Sequence, residues 1–123
     1  MNSSKRLVLV GSSLVAALAM AGCGGTSYGA PGCSATTAVA TTSVAIQASA
    51  FSPRCIKVSA GDTVTFTNND TVPHTVTADD GTYDGALATT GVTKVFTHPF
   101  PTAGTSAYHC TIHLGMTGTV IVQ

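Results

Sequence analysis

Charge is scarce in this chain: Lys and Arg together number 5, Asp and Glu 5, and charged residues fill 8% of 123 positions. Two of the five cations, Lys5 and Arg6, stand at the start, ahead of an apolar run. Beyond residue 22, Arg54, Lys57 and Lys94 face Asp62, Asp70, Asp79, Asp80 and Asp84, a net charge of −2 with the histidines neutral. With no basic patch to neutralise phosphates, nucleic acid is a poor partner. No stretch keeps a helical period, and nothing repeats. A phosphate-binding P-loop, a G-x-S-x-G elbow and a dinucleotide fingerprint are all missing beyond the first residues. The apolar run LVLVGSSLVAALAMAG is too short and too rich in Gly, Ser and Ala for a membrane-spanning helix. Methionine is rare as well: of 3 in the chain, only Met116 lies beyond residue 22.

What the start does hold is a cationic opening, a short apolar stretch and an exit of small residues. That order describes a secretory signal peptide over residues 1–22. Its exit, Met20-Ala21-Gly22-Cys23, resembles a bacterial lipobox, with Met20 where Leu is usual. The resemblance implies lipidation of Cys23 and a protein held at a membrane by its lipid anchor, in the periplasm or on the outer cell surface. An ordinary cleavage site between Ala19 and Ala21 is the alternative. Removal of 22 residues from 123 leaves 101, enough for one small domain, expected to be a monomer.

Residues 24–42, GGTSYGAPGCSATTAVATT, contain almost no large apolar side chain and read as a flexible tether. The domain proper is then 43–123. Of the 4 cysteines, Cys23 has its lipid context and Cys110 sits among histidines. Cys33 and Cys55 remain as the disulfide pair, in keeping with an oxidising compartment. A bridge there would leave only residues 24–32 free.

From Ser43 onward apolar and polar residues alternate. VAIQASAF, CIKVSA, DTVTFTN, HTVTA, VTKVFTH, TSAYHC and TGTVIVQ are short, Thr- and Val-rich, and separated by turn signals such as Ala60-Gly61-Asp62 and Asp79-Asp80-Gly81. The pattern predicts an all-β sandwich or barrel of seven or eight strands.

The chemistry concentrates in YHCTIHLGM, residues 108–116. Strand alternation puts Tyr108 and Cys110 on one face and His109 on the other. A turn after Cys110, eased by Gly115, is needed to bring His113 and Met116 back toward the sulfur. Three ligands from one turn leave a site incomplete, and His74, after Pro73 in a second Val- and Thr-rich strand, is the candidate for the fourth. Two imidazoles, a thiolate and a thioether are the donor set of a blue-copper electron-transfer site. Zinc seldom takes a thioether and prefers more thiolates or a carboxylate.

Residues 51–123 resemble the plastocyanin and amicyanin group of cupredoxins through AGDTVTFTNND, VPHTVTADDG and YHCTIHLGMTGTVIV. Two residues between His113 and Met116 are similar to the amicyanin loop; that of plastocyanin is longer. The resemblance implies a Greek-key β-sandwich with one type 1 copper on His74, Cys110, His113 and Met116. It implies an electron carrier, not an enzyme, exchanging with a redox donor and acceptor. It also implies an exposed second histidine in an apolar docking patch, here Pro73, Leu114 and Gly115. Plastocyanins and amicyanins carry Asn directly after the first ligand histidine, where this chain has Thr75.

His-Cys pairs wire two copper centres together in some enzymes, but the oxidases carry His on both sides of the cysteine, and Thr111 stands at the second place. His109 is therefore expected on an outer strand face, and His98 at the surface or in a loop. Asp79, Asp80 and Asp84 lack the spacing of an EF-hand and read as turn residues. Cys110 with His113 resembles a hydrolase pair, but a metal-bound thiolate is no nucleophile. A copper carrier or delivery module without a redox role is the rival to the electron shuttle. The lipobox reading predicts a mature protein whose mass includes a lipid on Cys23; a mature mass that starts elsewhere, without lipid, removes the anchor.

Overall fold

A computed structural model describes residues 30–123; the signal segment, Cys23 and residues 24–29 lie outside the described residues. Ten strands follow one another: β1 (Val39–Ala40), β2 (Ser43–Gln47), β3 (Ala50–Ser52), β4 (Cys55–Val58), β5 (Thr63–Asn68), β6 (His74–Ala78), β7 (Asp84–Leu87), β8 (Val95–Pro99), β9 (Gly104–His109) and β10 (Thr117–Val122). One sheet has the order β1-β4-β10-β9-β6-β7 and the other β3-β2-β5-β8. The chain crosses between sheets at β1–β2, β3–β4, β4–β5, β5–β6, β7–β8 and β8–β9, giving the all-β sandwich that the alternation predicts.

Burial follows the two-residue period. Val44 and Ile46 of β2, Val64 and Phe66 of β5, and His74, Val76 and Ala78 of β6 all face inward. Between the sheets Val44, Ile46, Val64 and Phe66 meet Ile56, Val76, Tyr108 and Val120, every one at 0% exposure. Burying each such aliphatic or aromatic side chain contributes about 1.5–3 kcal/mol. The Tyr108 ring sits edge-on to Phe51 and Phe66, with centroids 4.8 and 5.3 Å away, and so joins the two sheets beneath the loop that follows β9.

The strand count is ten, where the alternation predicts seven or eight, and the reasons are local. VAIQASAF is a hairpin, not one strand: Ala48 and Ser49 take left-handed φ values of 51° and 53°, reversing the chain between β2 and β3. DGAL, which reads as part of a turn, pairs as β7 with β6, His74 opposite Leu87. β1 is the third addition, from residues read as tether, whereas VTKVFTH still gives one strand, which begins only at Val95 after a short 3-10 turn over Val92–Lys94.

Residues 30–42, assigned to the tether from their composition, lie against the sheet. The N–H of Ala30 donates to Thr119 Oγ1 at 2.9 Å, and Arg54 and Lys57 donate to the carbonyls of Pro31 and Ala35, each at 3.2 Å. Cys33 and Cys55 form a disulfide, and β1 adds to β4 in parallel. Small residues, which read as flexibility, here permit close approach to a sheet edge. His98 also departs from expectation. It belongs to β8, half-buried, with its ring 4.2 Å from that of Tyr83 and 5.0 Å from that of Phe100, and burial pushes its pKa down.

Gly118 of β10 leaves room for Tyr108: a Cβ there would stand 2.2 Å from the Tyr108 ring carbon Cζ. Gly118→Ala should therefore destabilise the domain by about 1–3 kcal/mol through overpacking, read as a lower midpoint in chemical denaturation.

Candidate metal centre

β6 and β9 are antiparallel neighbours, Thr77 opposite His109 and Ala78 opposite Tyr108. The chain leaves β9 after His109 and returns as β10 at Thr117, which pairs back with His109. Residues 110–116 thus form a closed loop at one end of the sheet. The N–H of Cys110 donates to the Met116 carbonyl at 3.0 Å, and that of Met116 to the His113 carbonyl at 3.3 Å. Gly115, at φ 80°, supplies the left-handed step that this closure needs.

His74 opens β6 at the same end. Cys110 Sγ lies 3.8 Å from His74 Nδ1 and 3.6 Å from His113 Nδ1. The three donor atoms all fall within 4.8 Å of one another. A sulfur and a nitrogen bound to one ion at about 2.3 and 2.0 Å, 120° apart, stand about 3.7 Å from each other. Both sulfur–nitrogen distances therefore fit a single metal ion held by the three donors. His74 and Cys110 are buried, His113 is partly exposed, and Met116 is buried in the same loop.

Electrostatics prepares the sulfur. Burial pushes the Cys110 thiol up, but the Thr75 N–H, His113, the Ile112 N–H and His74 outweigh it and bring the pKa down to about 6. The thiolate is the form that binds metal. One of these bonds crosses between the strands: the Thr75 N–H donates to Cys110 Sγ at 3.3 Å.

Two residues at this end escape a reading for metal ligands. Asp70 accepts from the N–H groups of Ala48 and Ser49 at 2.8 Å each, and one of its oxygens lies 2.9 Å from His74 Nε2. The Ser49 N–H above all, with those of Ala48 and His74, holds the Asp70 carboxyl below its ordinary pKa against desolvation. A carboxylate only accepts, so His74 donates from Nε2, and Nδ1, the nitrogen toward the sulfur, is the one that would hold a metal. Asn68, fully buried, donates to the carbonyls of Val72 and Ala88 at 2.9 and 3.0 Å and pins the loop that leads into His74. Asn68-Asn69-Asp70 reads as a turn; the only signal for more is the spacing of Asp70, four residues before His74.

The remaining histidine of the motif stands apart from the group. His109 Nδ1 lies 2.6 Å from Asp79 Oδ1, with 39% of its side chain exposed. Asp80 binds the Thr82 hydroxyl and N–H, and Asp84 binds Thr77, so the three acids serve separate contacts.

The family model of the Cupredoxin-like domain matches residues 13–122. The chain belongs to the cupredoxin family. It is 40% identical over 86 residues to the chloroplastic plastocyanin of Tetradesmus obliquus, a match spanning 59% of this chain and 58% of that one. The chain thus covers little more than half the length of that relative. Among solved structures it is similar to a purple cupredoxin from Nitrosopumilus maritimus, at 28% identity and a TM-score of 0.57, over 66% of this chain and 98% of the other. It is likewise similar to a mutant amicyanin in its reduced state, at 32% identity and a TM-score of 0.56, over 73% and 86% of the two chains. Plastocyanins and amicyanins are electron carriers rather than enzymes. The cofactor of this cupredoxin is one copper ion: His74, Cys110 and His113, with Met116 near, fit a type 1 site.

Asp70→Asn keeps the size of the side chain but removes the charge behind His74. It should weaken Cu(II) binding by about 10–100-fold, measured by competition with a chelator. Unchanged affinity would mean that Asp70 serves only the β2–β3 turn.

Proposed function

We propose that this cupredoxin carries single electrons between redox partners outside the cytoplasm, with its copper held by His74, Cys110, His113 and Met116. The observation that carries this reading is a nearly enclosed donor set with one edge open to solvent at His113. Copper held there would supply a one-electron Cu(I)/Cu(II) couple. The protein's part is to keep the donors still. Soft sulfur from Cys110 and Met116 suits the reduced ion and imidazole nitrogen the oxidised one, so one rigid set serves both states.

Apolar side chains close in sequence to the two ligand histidines are exposed. Leu114 is fully exposed at 103%, and Ile112 and Val72 at 53% and 41%. Pro73, Leu114 and Gly115 are the proposed docking contacts. A small uncharged patch suits brief encounters, because it desolvates easily without locking charged pairs together. Export rests on the signal-type start and accords with the Cys33–Cys55 disulfide, a bond kept in oxidising compartments. Lipidation of Cys23 would hold the carrier beside a membrane. The electron donor and acceptor are themselves redox proteins.

The copper-loaded protein should be intensely coloured in the visible and show the narrow hyperfine splitting of type 1 copper in electron paramagnetic resonance. A colourless protein with square-planar copper spectra overturns the reading. Copper passed to a metal-free partner without any redox change would instead make the protein a delivery module. Leu114→Asp should leave the spectrum intact yet slow electron self-exchange, followed by NMR line broadening, by about tenfold, which is the loss of about 1.4 kcal/mol at a docking centre.

A further inference from the structure

Thr75 stands where the plastocyanin and amicyanin pattern has asparagine, and its side chain is not idle. Thr75 Oγ1 accepts from the Thr111 N–H at 2.9 Å and lies 3.2 Å from Thr111 Oγ1. It also accepts from the Thr77 hydroxyl at 3.0 Å, and Thr77 Oγ1 in turn is 2.7 Å from Asp84 Oδ1. Thr75 directly follows one proposed ligand, His74, and Thr111 directly follows another, Cys110. The four side chains lie together on the outer face of the sheet, where β7, β6 and the loop after β9 adjoin.

Proton counting shows how the row is held. Thr77 has one hydroxyl proton and two acceptors in reach, Thr75 Oγ1 and Asp84 Oδ1. The Asp84 carboxylate is closer and charged, so it fixes the rotor, and Thr75 shares the same proton. Both lone pairs of Thr75 are then engaged, one by Thr77 and one by the Thr111 N–H. Its own hydroxyl proton is left for Thr111 Oγ1, which gives Thr75 and Thr111 two mutual bonds. Asp84 thus anchors Thr77, Thr77 orients Thr75, and Thr75 grips Thr111. A neutral side chain at Asp84 would loosen the anchor.

We propose that Asp84, Thr77 and Thr75 form a hydroxyl clasp that straps the backbone after Cys110 to the backbone after His74, making them positioning residues for the Cys110 sulfur. The strap keeps the Thr75 N–H on that sulfur, at 3.3 Å. Asp84, a surface residue of β7 outside the donor set, thereby acts on the metal centre. The effect on copper rests on the type 1 reading above; the strap itself does not.

The test has two arms, both on the full chain. In the metal-free protein, Thr77→Val should speed hydrogen exchange at the Thr111 amide by about fivefold, as loss of one hydrogen bond implies. Asp84→Asn should speed it by less. In the copper-loaded protein, Thr75→Val should move the thiolate-to-copper absorption to longer wavelength and lower the reduction potential, because a sulfur that loses a hydrogen bond donates more strongly. Thr75→Ser should restore both. Thr77→Val should shift both in the same direction by less, and should add nothing in the Thr75→Val background. Wild-type exchange at Thr111 in Thr77→Val and Asp84→Asn overturns the clasp. So does a Thr77→Val shift that persists in full once Thr75 is already Val. Should the copper-loaded wild type lack the absorption, the copper reading fails and exchange at Thr111 alone decides the clasp.

Discussion

The bond from the Thr75 N–H to the Cys110 sulfur, 3.3 Å long, joins two segments separated by 35 positions in sequence. A buried thiolate is costly unless hydrogen bonds or a metal share its charge. At Cys110 one such bond comes from the backbone of the strand that also presents His74. The pairing of β6 with β9 therefore does two things at once: it lets the thiolate exist, and it sets how far the first imidazole stands from it. Displace either strand and both are lost. The rest of the sandwich can be understood as what keeps these two strands in register.

That rigidity is assembled from unlike parts. Tyr108, two residues before Cys110, is fully buried against Phe51 and Phe66 and so ties β9 to the opposite sheet. Asn68 and Asp70 hold the approach to His74 from the other side, and Asp70 also ties in the tip of the β2–β3 hairpin. The loop closes on itself through the Cys110 and Met116 amides. A site held from so many directions has little freedom to rearrange when its charge changes by one. This is the physical requirement for fast electron transfer. In the carrier proposed above, the exposed Ile112 and Leu114 beside His113 would meet the other requirement, a short path to a partner that does not linger.

The site was far more legible than its supports. Cys110, His113 and Met116 are rare residue types at a tight spacing, and soft donors so arranged have few other uses. Asp70, Thr75, Thr77 and Asp84 are common types in the places where strands and turns ordinarily carry them; Asp70 and Thr75 are marked only by their closeness to His74, and Thr77 and Asp84 by nothing. Asp70 reveals its part only when the β2–β3 hairpin folds over to offer it two N–H groups. Composition misled in one region, since a run of small residues reads as a free tether whether or not a sheet edge lies beside it. Period-two alternation in the sequence runs on through Ala48 and Ala50 as if in one strand, but the hairpin pairs Ile46 with Phe51 and so moves the inward face from even to odd positions.

Taken alone, the order of residues determined the all-β class, the candidate donor set and the pairing of Cys33 with Cys55. Each rests on local alternation or on the small number of residues able to do the chemistry. Tertiary structure decided the number of strands, the course of residues 30–42 along the sheet, and the packing of His98 against Tyr83. It also decided which hydrogen bonds surround the donors. Those bonds join β6, β7, the β2–β3 turn and the loop after β9, segments far apart in the chain. A hydrogen bond depends on position to within a fraction of an ångström, and only the packed sandwich supplies that.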